Sequence, residues 1–518
     1  MSEYVTYAVG QQDFRNIREA GSVYIDKTQF IEKIIRQNNQ FMFLARPRRF
    51  GKSLFLSTLR YFFEGKRELF KGLCVDSMDW DWHPYPVLYL DLNPNRYDIE
   101  GKLEAVLNGL FRDWEKKYSI DFVDPDYSQR LRTIIKTAHE KTGRQVVILV
   151  DEYDKPLVGN MNNEEQFEHY QAQLASIYSN FKTMAEDIRL VFLTGVSRFS
   201  KLSVFSDLNN LNDISFDNEY ADICGITADE LFENFQTGIN GIAREAGRDY
   251  EWACEQLRQN YDGYRFAIKG SDIYNPWSVL NAMQKSVILF YWNQTGRPTV
   301  VAEALRNMDV DLESLDNTTC THDELMGLDL KNPNPLALMY QTGYLTIKDY
   351  DPYDNVYTLG IPNKEARDGL FNELVPFYVS VKKGSPENVV REILKSIREG
   401  NPKLLVKNLN AFLAGIPYDM HMEDENNLQN AIFVLLTLIG ANAQVEVHTS
   451  DGRIDMLIEH RRFIYIIELK FDGSAEDAID QIRKKEYARK FDTDPRSVFS
   501  IGLNFSTRTR RLDPPVIE

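Results

Sequence analysis

The sequence has few cysteines and no segment typical of secretion or of a membrane span. Its four cysteines, at positions 74, 224, 254 and 320, show no paired spacing. This pattern fits a reducing compartment and gives no zinc-site signature. The N-terminal residues lack a basic start followed by an apolar core, and the longest apolar run, residues 431–440, is too short for a bilayer. These features predict a cytoplasmic protein with no membrane partner.

Positive charge is also in deficit. The chain has 60 lysines and arginines against 77 acidic residues, a formal net charge of −17. This balance argues against a surface coated for non-specific nucleic-acid binding, although it leaves a local basic groove open. The hydrophobic share of 43% is ordinary for a globular protein, and 518 residues predict two or three domains.

A short apolar run followed by a basic, glycine-containing loop predicts a phosphate-binding site. Residues 41–45 (FMFLA) predict a buried strand, residues 46–53 (RPRRFGKS) a tight loop, and the next residues a helix. Backbone N–H groups and the helix dipole favour anions at such a helix start. Lys52 is predicted to reach the β- and γ-phosphates and Ser53 to bind Mg²⁺. The predicted nucleotide-binding residues of the loop are Arg48, Arg49, Phe50, Gly51, Lys52 and Ser53.

The loop departs from the usual pattern at its first glycine position, where Arg46 stands. The entrance of the loop must therefore be shaped differently, because a residue that tolerates unusual backbone angles is missing. Pro47 fixes φ there. The alternative is a basic turn next to a chance Gly-Lys-Ser, and the strand and helix on either side favour nucleotide binding.

A second apolar strand supplies the acidic half of an NTPase site. Residues 146–150 are apolar and end in Asp151 and Glu152. Asp151 is predicted to hold Mg²⁺ through water, and Glu152 to polarise the attacking water. A strand candidate at residues 87–92 lies between the two motifs. NTPases with a strand inserted between the loop strand and the acidic strand usually carry this second carboxylate.

A further strand, residues 189–195, carries Thr194 near its end, the position of a residue that senses the γ-phosphate. Arg198 follows, either as a stabiliser of developing charge or as a surface arginine. Upstream of the loop, residues 23–25 predict a strand and residues 27–35 a helix. Those two elements either close over a nucleotide base or only pack against the first sheet.

The segment after residue 199 begins as a loop and continues as a helix, with Thr227 and Glu230 predicted to form a capping box. Residues 236–410 predict mostly amphipathic helices, interrupted by YDGYRF, YNPWSVL and a hairpin-like stretch. Their aromatic clusters indicate core packing. We assign no chemistry to this middle region.

The C-terminal hundred residues predict strands rich in β-branched residues, with a hairpin between residues 452–459 and 463–471. Glu468 and Lys470 are two residues apart and share one face of a strand, and Asp455 lies on the neighbouring strand. The two carboxylates suit a divalent cation that polarises a phosphodiester. Lys470 is predicted to orient or deprotonate a water, or to offset negative charge. Gln481 is predicted to face back from a following helix at residues 475–488.

Other charged residues leave alternatives open in this part of the chain. Glu425, on a helix predicted at residues 426–439 or just before it, is a candidate further acidic ligand, with Glu423 and Asp424 as rivals. The alternative for the carboxylates and the lysine is an exposed hairpin with a salt bridge. Basic residues either follow a nucleic-acid backbone or form solvated faces. These are Arg461, Arg462, Arg483, Lys484, Lys485, Arg508, Arg510 and Arg511.

The chain resembles a known bacterial family across nearly its whole length. The motifs that carry the resemblance are YIDKT, RPRRFGKSL, VILVDEYDKPL, FLTGVSRFSKLSVFSDLNNL, YDGYRF, YNPWSVL, YQTGYLTI and GRIDMLIE…IIELKF. They are similar to those of AAA-ATPase-like proteins fused to a C-terminal PD-(D/E)XK nuclease-superfamily domain. The resemblance implies that arginine at position 46 is usual. It also implies metal-binding and catalytic roles for Asp455, Glu468 and Lys470, and places Gln481 at a frequent helix position. The first half of the motif is GRID and not Pro-Asp, which this superfamily tolerates.

The predicted fold class is α/β, with a P-loop NTPase domain at residues 1–235, a helical middle or lid region at 236–410 and a restriction-endonuclease-like domain at 411–518. The leading hypothesis is an ATP-binding protein whose ATPase module gates or powers Mg²⁺-dependent nucleic-acid cleavage. The alternative is a nucleotide-dependent switch or scaffold whose C-terminal domain binds without cutting, and a third is an ATPase with structural C-terminal carboxylates. ATP and Mg²⁺ are the expected cofactors, DNA is favoured over RNA, and a homo-oligomer is left open.

Overall fold

The computed structural model describes residues 5–93, 95–121, 124–161, 163–198, 210–295, 315, 317–327, 334–370, 386–414, 432, 435, 442–449, 452–460 and 462–518. It divides into two compact units, one drawn from residues 1–296 and 317–366 and the other from residues 297–316 and 367–518. Across the ranges just given, no helix has the length and apolar composition of a bilayer-crossing segment.

The strands of the first unit are β1 (Phe41–Ala45), β2 (Val87–Asp91), β3 (Val146–Asp151), β4 (Ile188–Gly195), β5 (Asn212–Asp213), β6 (Ile226–Thr227), β7 (Ile273–Tyr274), β8 (Thr318–Thr321), β9 (Thr346–Asp351) and β10 (Val356–Gly360). Its helices are α1 (Phe14–Glu19), α2 (Gln29–Gln37), α3 (Lys52–Phe63), α4 (Lys102–Lys117), α5 (Tyr127–Thr142), α6 (Lys155–Val158), α7 (Glu164–Thr183), α8 (Ala228–Asn234), α9 (Gln236–Ala246), α10 (Tyr250–Tyr261), α11 (Pro276–Lys285), α12 (His322–Met326) and α13 (Pro335–Thr342).

A five-stranded parallel sheet, in the order β2-β3-β4-β1-β5, forms the framework of the first unit. Every residue of β1 and β3 is buried, which explains why both strands are continuous apolar runs. Leu44 pairs with Thr194, and Asp91 pairs with Asp151. The C-terminal ends of these strands therefore lie at one edge of the sheet.

The sequence predicts β1, β2, β3 and β4 to within one residue at each end, whereas β5 lies in a segment predicted as a loop. Two further interpretations need correction. The strand that lies between the loop strand and the acidic strand is β4, whereas β2 lies on the far side of β3. The segment at residues 23–25 forms no strand; within it a single bridge joins Tyr7 and Val23. A three-residue segment with one backbone partner is too short to form a ladder of β-sheet hydrogen bonds. The predicted capping box of Thr227 and Glu230 is confirmed at the start of α8.

The rest of the first unit combines helices with small antiparallel sheets. β6 pairs with β7, and β8, β10 and β9 form a three-stranded sheet beside α12 and α13. A hydrophobic core cluster joins Tyr7 to apolar residues of α8–α11, among them Leu231 and Leu257. The chain upstream of the phosphate loop therefore packs on the helices that follow the parallel sheet.

The elements of the second unit are α14 (Pro386–Glu399), α15 (Pro402–Leu413), β11 (Asn442–Thr449), β12 (Gly452–Glu459), β13 (Phe463–Phe471), α16 (Ala475–Lys484), β14 (Ser497–Ser506), β15 (Arg511–Leu512) and β16 (Val516–Ile517). The sheet order is β11-β12-β13-β14-β15, and β16 also pairs with β14. β12 and β13 form the predicted antiparallel hairpin, while β13 and β14 are parallel. The helix predicted for residues 475–488 ends at Lys484, and a 3₁₀ helix follows at Tyr487–Phe491.

Gly502 allows helix α16 to lie directly on β14. A Cβ atom at this position would be 2.3 Å from the backbone oxygen of Ala475 and 2.7 Å from the backbone nitrogen of Ile479. Both obstacles are backbone atoms of a helix, so they cannot move independently of it. This glycine sets the distance between β14 and the helix that carries Gln481.

We expect Gly502→Ala to destabilise the second unit by about 1–3 kcal/mol, because the helix must shift to relieve the overlap. Thermal and urea unfolding of the full chain would measure the loss. The matched control is Gly109→Ala in the exposed middle of α4, where a Cβ atom has no neighbour within 4 Å. That substitution should be neutral or stabilising by about 0.5–1 kcal/mol. Equal unfolding midpoints for Gly502→Ala and wild type would contradict the packing argument.

Candidate functional site

Arg46, at the first glycine position of the loop, lies inside the protein and does not line the cleft above the loop. Its side chain is 2% exposed, and its guanidinium donates to the backbone oxygens of Ala45, Ser215 and Tyr220 at 2.9, 2.8 and 3.1 Å. The guanidinium carbon is 4.5 Å from the centre of the Phe266 ring. The arginine thus fastens the start of the loop to residues 215–220.

The loop itself ends in the geometry of an anion site. Gly51, with φ of 100°, precedes helix α3 and needs the left-handed conformation that glycine adopts easily. The buried amine of Lys52 donates to the backbone oxygens of Arg46 at 2.9 Å and Pro47 at 3.1 Å. These carbonyl oxygens accept the hydrogen bonds of the Lys52 ammonium as phosphate oxygens would. The amine is therefore already positioned inside the loop.

Three of the predicted nucleotide-site residues meet at the edge of the parallel sheet. The Thr194 hydroxyl donates to Asp151 Oδ1 at 2.7 Å, and the Ser53 side chain also hydrogen-bonds to Asp151. Burial raises the pKa of Asp151, while these two hydrogen bonds and the charge of Lys52 oppose that rise. A carboxylate and two hydroxyls are hard oxygen donors, and this donor set fits Mg²⁺.

Glu152 and Lys155 line the same cleft. Glu152 adopts a left-handed backbone conformation with φ of 52°, which is uncommon outside glycine. Its Oε2 is 3.6 Å from the amine of Lys155. The cleft has a volume of about 270 Å³ and also receives Arg48, Arg49 and Asn93. Its polar end is therefore mainly cationic, with one carboxylate.

A second, apolar cavity of about 90 Å³ adjoins this cleft. The residues that line both are Ala8, Gln11, Gly51, Leu54, Pro276 and Leu280. Tyr24 and Ile25 line the apolar end, so the segment upstream of the loop does reach the cavity. A cationic end joined to an apolar end is the chemical complement of a nucleotide. The role of these two residues in closing over a base stays a prediction.

The predicted residues Phe50 and Arg198 are not among those that line the cationic cleft, although Phe50 does line the adjoining apolar cavity. The Phe50 ring is buried against Tyr264 and Phe266, with ring centres 4.8 and 5.4 Å away. The Arg198 side chain pairs with Asp213 and contacts the sulfur of Met326, and it is not among the residues that line the cleft. Binding through the backbone of Phe50 and a catalytic role for Arg198 both stay predictions.

Sequence reasoning missed the contribution of the middle region to the cleft. Pro276, Trp277 and Leu280, all from the first part of α11, line it. The guanidinium carbon of Arg49 lies 4.3 Å from the centre of the Trp277 ring. The signal was present in the YNPWSVL motif, but nothing in the local pattern distinguishes a cleft residue from core packing.

A buried carboxylate, Asp154, holds the chain that follows β4. Its Oδ2 accepts the backbone N–H groups of Val196 at 3.1 Å and Ser197 at 2.8 Å. Burial raises the pKa of Asp154 to about 6, a rise that the hydrogen bond from Ser197 opposes and the nearby Glu152 reinforces. The carboxyl group therefore binds its proton more tightly in the folded state than in the unfolded state.

This difference predicts a pH-dependent stability. A raised folded-state pKa gives stability that is present below about pH 4 and is lost as the pH rises through about 6. We expect Asp154→Asn, which carries no charge to bury, to gain stability relative to wild type as the pH rises from about 4 to about 6.5. Unfolding midpoints of both proteins across this range would test it, and parallel curves would show that Asp154 does not titrate as described.

The second unit brings Asp455, Glu468, Lys470 and Gln481 together. Asp455 Oδ2 accepts the backbone N–H of Leu469 at 2.8 Å, which places it beside β13. The Lys470 amine donates to Gln481 Oε1 at 2.6 Å and is 3.5 Å from Glu468 Oε1. The Gln481 amide donates to that same Glu468 oxygen. The side chains of Glu468, Lys470 and Gln481 thus form one connected group, and Asp455 is fixed beside it by the backbone of β13.

Glu468 is the more deeply buried carboxyl of this group. It is fully buried, and burial together with the neighbouring Asp455 charge raises its pKa, while Lys470 opposes the rise. Its second oxygen, Oε2, is buried without a hydrogen-bond partner in the described part of the chain. A buried carboxylate oxygen without a partner, beside another carboxylate, fits a divalent cation as the missing partner.

The acidic set of this group is limited to two carboxylates among the described residues, which contain no cluster of three or more metal-ligating side chains. The candidates Glu423, Asp424 and Glu425, and nearly all of the helix predicted at 426–439, lie outside the described residues, as does Arg461. Arg483 pairs with Asp480 and Glu518. It is therefore less available to a nucleic-acid backbone than the exposed Lys484 and Lys485.

Comparison with known proteins agrees with this geometry. The family described as "Predicted AAA-ATPase" matches residues 8–205, and the PD-(D/E)XK nuclease superfamily matches residues 423–513. Over 528 residues the chain is 32% identical to a protein from Azotobacter chroococcum mcd 1, described as an uncharacterized protein in the vnfD 5′ region. The alignment covers 98% of each chain. The chain belongs to the family of AAA-ATPase-like proteins that carry a C-terminal PD-(D/E)XK nuclease-superfamily domain.

Proposed function

We propose that this protein binds and hydrolyses ATP in its first unit and cleaves nucleic acid in its second unit, with the ATPase module gating or powering cleavage. One observation carries the proposal. In each unit a lysine lies near a buried acidic residue of a central strand: Lys52 near Asp151, and Lys470 near Glu468. Both arrangements suit a divalent cation held against phosphate oxygens.

In the first unit the residues have distinct roles. Lys52 exchanges the loop carbonyls for the β- and γ-phosphates, while Thr194 orients Asp151. Ser53 and Asp151 hold Mg²⁺, which when bound neutralises phosphate charge. Glu152 orients the attacking water once the phosphates draw Lys155 away from it. Arg48 and Arg49 add positive charge at the mouth of the cleft.

In the second unit Asp455 and Glu468 hold the cation, which when bound polarises the phosphodiester. Gln481 bonds to both Glu468 and Lys470 and so fixes their relative position. Lys470 orients a water or offsets charge in the transition state. We favour DNA over RNA as the substrate and propose boundaries near residues 235 and 410, a cytoplasmic location and, as a further option, a homo-oligomer.

A second candidate function is a nucleotide-dependent switch or scaffold whose C-terminal domain binds without cutting. The observation that favours it is the pairing of Glu152 with Lys155. A carboxylate engaged by a neighbouring ammonium is less free to position a water, and this suits ATP as a slowly hydrolysed signal. Cleavage assays separate the two functions.

We expect Lys52→Ala to weaken Mg²⁺–ATP binding by about 10–100-fold, because a hydrogen bond to a charged partner contributes about 1.5–3 kcal/mol. ATP turnover should fall to background. Calorimetry and phosphate release would measure the two effects. Lys116→Ala, an exposed lysine at the end of α4, is the matched control and should behave as wild type. If Lys52→Ala binds Mg²⁺–ATP as tightly as wild type, the assignment of this loop as the phosphate-binding site is wrong.

We expect Lys470→Ala to lower Mg²⁺- or Mn²⁺-dependent cleavage of plasmid and single-stranded DNA by at least about 100-fold, the usual contribution of a positioned proton-transfer group. Reactions with and without ATP would show whether the first unit controls the second. Lys395→Ala, exposed on α14, is the control for loss of a surface charge. Wild-type protein that hydrolyses ATP but cleaves neither plasmid nor single-stranded DNA would support the switch function and contradict the nuclease function.

A further inference from the structure

Two tryptophans from the middle region each contact an arginine of the phosphate loop. Trp277, in the first turn of α11, lies under the Arg49 guanidinium, whose carbon is 4.3 Å from the ring centre. The indole N–H of Trp292 donates to the backbone oxygen of Arg48 at 3.2 Å. Consecutive residues of the loop are therefore held by aromatic side chains from a distant part of the sequence.

One buried carboxylate, Glu365, joins these two tryptophans. Its Oε1 accepts the backbone N–H groups of Tyr291 at 2.5 Å and Trp292 at 2.8 Å. Its Oε2 accepts the hydroxyl of Ser278, the residue after Trp277, at 2.7 Å. Glu365 is fully buried, so these bonds are shielded from water and each is charge-assisted. The start of α11 and the chain at residues 291–292 are thus held in one fixed relation.

The loop needs such external support. Arg49 has a φ of 69°, a left-handed conformation that costs a residue other than glycine about 1–3 kcal/mol unless its surroundings impose it. The first glycine of the usual loop is replaced by Arg46, whose side chain is engaged elsewhere. The turn after α13 closes against Pro47, because a Cβ atom on Gly343 would lie only 3.0 Å from the Pro47 Cβ atom.

We propose that Trp277 is a positioning residue for the phosphate site, which acts by holding the Arg49 guanidinium at the cleft, and that Glu365 fixes it there. This inference rests on the proposed nucleotide function. Trp277 itself does not touch the phosphates; its effect passes through Arg49. Removing Arg49 should therefore cost at least as much binding energy as removing Trp277, and removing both should cost no more than removing Arg49 alone.

A double-mutant cycle tests this directly. Mg²⁺–ATP binding would be measured by calorimetry for wild type, Trp277→Leu, Arg49→Ala and the double variant. We expect Trp277→Leu to bind about 2–30-fold more weakly, the range of a cation–π contact. Arg49→Ala should lose at least as much affinity, and the double variant should match Arg49→Ala. Trp277→Phe, which keeps an aromatic face, should retain most of the affinity. Additive losses in the double variant would overturn the inference.

A second binding experiment uses inorganic tripolyphosphate, which has the phosphates of ATP but no base. If Trp277 acts through Arg49, Trp277→Leu weakens tripolyphosphate binding as much as ATP binding; loss for ATP alone would mean that the indole contacts the base, and would overturn the inference. Trp252→Leu, in the first turn of α10 and outside the cleft, is the matched control and should bind as wild type. Wild-type protein that binds neither ligand would overturn the nucleotide function itself.

Discussion

Parallel pairing of β3, β4 and β1 is the constraint on which the first site depends. Because these strands run in the same direction, their C-terminal ends meet at one edge of the sheet. Thr194 pairs with Leu44 of the loop strand and hydrogen-bonds to Asp151 on the other side. The spacing between the phosphate loop and the acidic residue is therefore set by β4, which lies between their two strands. If β4 did not join β3 to β1, Lys52 and Asp151 would not lie at the same edge of one sheet.

The second site depends on a different constraint, close packing of a helix on a strand. β13 and β14 pair in parallel, so Glu468 lies beside Gly502. The missing side chain of Gly502 lets α16 approach, and α16 carries Gln481 onto Glu468 and Lys470. The chemical group of four residues is therefore built from two strands and a helix, and its geometry is fixed by backbone contact.

Much of this could be predicted from the sequence because the relevant signals are local. Buried strands appear as apolar runs, and the two-residue period of a strand places Glu468 and Lys470 on one face. Contacts between distant segments carry no such signal. The pairing of Arg198 with Asp213, the burial of Phe50 in an aromatic cluster and the approach of Trp277 to the cleft all depend on tertiary packing. The short strand predicted at residues 23–25 was wrong for the same reason, since β-branched composition does not supply a neighbouring strand.

The guanidinium of Arg46 has a consequence for the order of assembly. It binds the carbonyl oxygens of Ser215 and Tyr220, which follow it only after the whole parallel sheet has been traversed. Such contacts close a long loop of chain, and the bonds that form must offset the entropy lost in closing it. The entrance of the phosphate loop therefore depends on residues 215–220, and its shape is complete only when the chain beyond the last strand of the parallel sheet is in place.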